Sequence, residues 1–98
     1  MSDDVNKTAY IDKMAENLIV LRTKLGLKQS ELANKIGVSR QTLLDTEKRK
    51  RPMAWSTFVA LLTVFRENEG TRSLLNHFGI YSAELQEYLT SPDKNTPK

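Results

Sequence analysis

Apolar residues along the chain recur at helical steps and nowhere alternate as a strand would require. Ile11, Met14, Leu18, Leu21 and Leu25 fall three and four apart, which predicts an amphipathic helix from about Tyr10 to Leu25, ended by Gly26. Residues Gln29 to Ile36 follow, with Leu32, Ala33 and Ile36 on one side. Gly37 supplies a residue that takes a left-handed turn without a Cβ clash, and Ser39 offers a hydroxyl to the free N–H groups of the next helix. That helix, from about Ser39 to Lys48, turns Leu43 inward and carries Arg40, Gln41, Thr42, Leu44 and Asp45 in its first two turns. Two short helices joined by a tight turn, the second with polar residues at its front, fit a DNA major groove.

Beyond Pro52, the stripe Trp55, Phe58, Val59, Leu62 and Phe65 predicts a helix that caps the core, stopped at Asn68-Glu69-Gly70. Thr71 is expected to cap the next, which bears Leu74, Leu75 and Phe78. After Gly79, Ser82 is expected to cap a last short helix with Leu85, Tyr88 and Leu89. This divides the chain into an arm (1–9), a helical domain (10–80), a C-terminal helix (81–90) and a polar, proline-containing tail (91–98) expected to be disordered. Tyr81, Leu85, Tyr88 and Leu89 either complete the core or form a dimer surface.

Charge sharpens the picture by its placement. The chain of 98 residues has a net charge of only +3, yet residues 22–51 hold nine basic and three acidic groups, a net of +6. The positive field lies on the two-helix stretch, where a phosphate-binding surface needs it. Its densest part is Lys48-Arg49-Lys50-Arg51.

Enzyme chemistry finds no footing. With no cysteine and one histidine, His77, nucleophile–base pairings are thin, and neither a Gly-rich phosphate loop nor a metal-ligand spacing is visible. The reading is a non-enzyme with no catalytic residues, no cofactor, no metal and no small-molecule ligand. Lacking an apolar run of membrane-spanning length and starting Met1-Ser2-Asp3-Asp4, the chain is expected to be cytoplasmic, with no membrane partner.

The stretch LRTKLGLKQSELANKIGVSRQTLLDTEKRKRP resembles the phage repressor and Cro-type (XRE-like) helix-turn-helix family, with Gln29, Leu32, Ala33, Gly37, Val38, Ser39 and Leu43 on the motif's marked positions. The likeness covers about residues 14–66. It implies an all-α fold of five helices, here with one additional short C-terminal helix, and a homodimeric, sequence-specific regulator of double-stranded DNA, a repressor. By position it assigns base reading to Arg40, Gln41, Leu44 and Asp45. Backbone phosphate contacts go to Gln29, Ser39, Lys48, Arg49, Lys50 and Arg51, and an ion pair between Arg22 and Glu47 ties the first helix to the third. Arg can grip guanine and Gln can pair with adenine. Three positions depart from the family's habit. Arg49 stands where glycine is frequent, Thr46 where a large aliphatic is usual, and Asp45 is acidic on a base-facing position. Asp45, the missing glycine at Arg49 and the extra helix also motivate a second reading, a protein-interaction module such as an antitoxin or phage accessory protein.

Overall fold

Six helices make up the computed structural model, which describes residues 5–90: α1 (Lys7–Lys24), α2 (Gln29–Ile36), α3 (Arg40–Glu47), α4 (Trp55–Glu67), α5 (Glu69–His77) and α6 (Ala83–Thr90). The fold is all-α, as the periodicity predicts. Residues 1–4 of the expected arm and the expected tail 91–98 lie outside the described residues. Long helices α1 and α4 pack against one another. α2 and α3 pair with each other and lean on that couple, while α5 closes it from the other side. The core fills the space between, with Met14, Leu18 and Leu21 of α1, Leu32 of α2, Leu43 of α3 and Phe58, Leu61 and Phe65 of α4 fully buried.

Two boundaries differ from the sequence reading. Residues 5–9 are no arm. α1 already starts at Lys7, Asn6 Oδ1 accepts the Ala9 N–H at 3.1 Å, and Val5 is buried. Val5 and Tyr10 stand at the flanking spacing of a hydrophobic staple, a pairing across the cap that a search for helical stripes misses. Thr71, expected as a cap, is instead fully buried within α5, which begins directly after an extended Asn68. Its hydroxyl donates to the Phe65 carbonyl at 2.6 Å, so it closes the end of α4 rather than opening α5.

Helix ends explain Arg49. At the close of α1, Gly26 N–H donates to the Thr23 carbonyl and Leu27 N–H to that of Arg22. At the close of α5, Gly79 and Ile80 repeat the pattern onto Asn76 and Leu75. Both glycines have positive φ. After α3, Arg49 N–H donates to Thr46 and Lys50 N–H to Asp45, the same wiring, with Arg49 itself at φ 62°. The missing glycine changes neither the turn nor the exit path. It places a β-carbon where one is disfavoured. Thr46, also unusual for the family, is buried, and its hydroxyl is satisfied by the Thr42 carbonyl at 2.8 Å.

α3 is fixed from behind by a polar node. Arg22 Nε donates to Glu47 Oε2 at 2.6 Å and Nη2 to Oε1 at 3.3 Å, while Nη1 donates to the Leu27 carbonyl at 3.0 Å. Gln29 Nε2 donates to Glu47 Oε1 at 2.9 Å. The Glu47 side chain is 2% exposed and that of Arg22 13%, so these charges are largely withdrawn from water and saturated by each other and by the chain.

The end of the chain folds back onto its start. Leu85 is fully buried and belongs to the core; Tyr81, Tyr88 and Leu89 are partly buried against that core. Tyr10 Oη meets Ser82 Oγ and donates to Glu84 Oε1 at 2.8 Å, and Ser82 Oγ accepts the Leu85 N–H at the start of α6. Lys7 Nζ lies 5.2 Å from the Trp55 ring centroid and 5.7 Å from that of Tyr88. Burial is the chief cause that raises the Tyr10 hydroxyl pKa, and Glu84 adds to it against the opposing bond from Ser82.

Three outcomes follow from these contacts. Glu47→Ala leaves Arg22 without its counter-charge and should lower unfolding free energy by about 3–5 kcal/mol in urea, whereas Arg22→Met with Glu47→Leu should lose much less. Arg49→Gly should raise stability by about 0.5–1 kcal/mol, and Arg49→Ala, which keeps the strained φ, should not. Because Tyr10 has a raised pKa in the folded state, its contribution is full below the unfolded value of about 10 and is lost as pH climbs through the folded one. Stability should therefore fall more steeply above pH ~10 in the parent chain than in Tyr10→Phe, read by urea titrations at stepped pH.

Candidate nucleic-acid interface

The buried residues of α3 are Leu43, Thr46 and Glu47. Its other side is a strip of Arg40, Gln41, Leu44 and Asp45, related by steps of one, three and four, with Lys48 just past its end. Arg40, Gln41 and Lys48 are exposed, and Leu44 and Asp45 half-buried. Leu44 lies outside the apolar core cluster, so its methyl groups are available on the strip. Guanidinium, carboxamide, isobutyl and carboxylate groups therefore share one face of one helix.

The front of α3 is built by Ser39. Its Oγ accepts the Thr42 N–H at 3.0 Å and donates to Thr42 Oγ1 at 2.9 Å. Ser39 is exposed, but its hydroxyl is engaged as the cap. Gln41 Nε2 donates to Asp45 Oδ1 at 2.9 Å, one turn along. Arg51 Nη1 reaches Thr42 Oγ1 at 3.4 Å, so the basic run doubles back along α3 instead of trailing away from it. Lys48, Arg49, Lys50 and Arg51 are all exposed, flanking the strip with positive charge. Arg49 Nη2 lies 3.4 Å from Asp12 Oδ1, with both side chains more than half exposed, a contact too solvated to hold the guanidinium strongly.

The expected site residues thus divide into two groups. The four expected to read bases share the outer strip of α3, and the four basic residues expected to contact phosphate border it. Gln29, grouped with the phosphate contacts by position, has its amide turned to Glu47 and stands with Arg22 in the node behind α3. Sequence reading missed three participants. Thr42 links Ser39 to Arg51, Asp12 faces Arg49, and Leu27 lends its carbonyl to Arg22. Asp12 lies 37 positions from Arg49, and no local spacing announces such a pair.

None of the described helices is long and apolar enough to cross a membrane. No curated protein and no solved structure matches the chain. The helix-turn-helix family model does match, over residues 18–55, the span from the middle of α1 to the first residue of α4. That span holds the Arg22–Gln29–Glu47 node, the Gly37 turn and the whole outer strip. Over residues 18–55, less than half of its length, the chain is similar to the helix-turn-helix family.

Proposed function

We propose that the protein is a sequence-specific transcriptional regulator, acting as a repressor, that binds double-stranded DNA as a homodimer with α3 of each copy in the major groove. The observation that carries this reading is the outer strip of α3. Its four reading residues are free of core packing and bordered by four exposed cations, on a helix whose pose is set from its buried side. Arg40 grips guanine through O6 and N7, Gln41 pairs with adenine, and Leu44 meets a thymine methyl. Lys48, Arg49, Lys50 and Arg51 contact phosphates and fix the register, as contacts of that type do without reading sequence. Two copies related by a two-fold axis place their α3 helices about one DNA turn apart, on a palindromic site. Repression follows if that site overlaps a promoter.

The protein-interaction reading leaned on three features. Arg49 makes the glycine-type turn itself and Leu85 of the extra helix is buried, which weakens that reading, while Asp45 and the partly buried Tyr81, Tyr88 and Leu89 stay in its favour.

Selection of bound fragments from a random-sequence pool should return a palindrome, and Arg40→Ala should lose one guanine in each half. Affinity should fall with salt at a slope near −7 in log K against log salt, from about −0.9 for each of some eight phosphate contacts per dimer. Arg49→Gly, though more stable, should bind more weakly at every site with a slope shallower by about 2. A slope near zero, or an unenriched pool at low salt, would overturn the reading and point to a protein partner.

A further inference from the structure

Core packing does not account for the hydrogen bond from Gln41 to Asp45. Both side chains lie on the outer strip of α3, and among the described residues neither makes another side-chain hydrogen bond. Truncating either would leave the core intact. What the bond does is fix the sense of an amide.

A glutamine amide on a wet surface has no intrinsic sense. A half-turn about its last bond exchanges the carbonyl oxygen for the NH2, and water satisfies both ends either way. Adenine distinguishes the two. In the major groove it presents the N6 amino donor beside the N7 acceptor, so the amide must offer its oxygen to one and an N–H to the other. An ionised carboxylate accepts and never donates. With Asp45 Oδ1 2.9 Å from Gln41 Nε2, the reversed amide would bring two oxygens together, so the NH2 must face Asp45. The carboxylate uses one of the two N–H groups. The carbonyl oxygen and the second N–H, the pair that adenine needs, are left for a base.

We propose that Asp45 is a positioning residue that reads DNA through Gln41: it holds the amide in the sense that matches adenine, instead of contacting cytosine itself. The proposal rests on α3 lying in the major groove. It also accounts for an acidic group on a surface that must approach phosphates. The negative charge weakens binding everywhere along the site, while the orientation it imposes sharpens one position.

Charge and orientation separate in the test. Asp45→Asn removes the charge and offers an amide that donates as well as accepts, so it no longer dictates the sense of the Gln41 amide, whereas Asp45→Ala removes the partner altogether. Loss of charge acts at every position of the site and loss of orientation at one. The full chain, Gln41→Ala, Asp45→Ala and Asp45→Asn would each be run through selection from a random-sequence DNA pool, with preferences scored position by position. The parent chain should enrich adenine at one position per half-site, and loss of that preference in Gln41→Ala identifies the position. Asp45→Ala should reduce the adenine preference there about three- to tenfold, the scale of ordering one long side chain on binding, with the other positions unchanged. Asp45→Asn should lose the preference to a comparable extent while binding all sequences more tightly. An adenine preference kept in full by Asp45→Asn would overturn the proposal, because an acceptor-only carboxylate would then not be what sets the amide. An adenine preference untouched by Asp45→Ala, a changed cytosine position instead, or a palindrome without adenine under Gln41 would overturn the proposal and leave the regulator reading standing. A parent chain that enriches no sequence would overturn both.

Discussion

The orientation of α3 depends on one nearly saturated cluster of charge and amide. Arg22 comes from α1, Leu27 from the following turn, Gln29 from the first residue of α2 and Glu47 from the last of α3. A buried carboxylate is tolerable only if its lone pairs are taken and its charge is met, and the node does both. The geometry is directional, because a guanidinium fork engages a carboxylate in its own plane. Apolar packing at Leu32 and Leu43 holds α2 and α3 against the bundle, but such contact is non-directional. The node supplies the direction that packing lacks. It does so at the end of α3 remote from Ser39, where a small rotation would be carried to Arg40 and Gln41.

Much of this was legible in the sequence because its causes are local. A glycine at a helix end, a serine three residues before the N–H that it caps, and apolar residues on a three-four rhythm are short-range signals. They placed α2 and α3 with their ends. The Arg22–Glu47 pair came through resemblance, since no spacing rule joins residues 25 apart. What stayed hidden was set by contacts formed only after the chain had folded. Val5 gave no stripe, and its burial depends on the cap at Asn6. Thr71 looked like a cap by type, yet its hydroxyl serves a carbonyl of the preceding helix. Gln29 was grouped by position with phosphate contacts, whereas its amide faces Glu47. Leu85 resembled any other apolar residue of a short helix, and only the packing of α6 against the bundle makes it core.

Arg49 shows how a fold can absorb a departure from pattern. The backbone wiring that closes α1 and α5 over glycines is repeated over an arginine after α3. The conformational cost is local and small against the packing that surrounds it. In return the basic run continues unbroken, and the turn that ends the helix also carries a cation.

Separating the node from the outer strip has a consequence for how such a protein changes over time. Arg40, Gln41, Leu44 and Asp45 hold no part of the core, and the residues that aim them are elsewhere in the chain. The two sets can therefore be altered independently. A lineage could exchange the strip residue by residue, and on the proposed reading drift from one operator to another, while its folding equilibrium stays nearly constant. By the same logic the scaffold is a natural chassis for grafting: a foreign set of four side chains would inherit a pose already fixed by Arg22, Gln29 and Glu47.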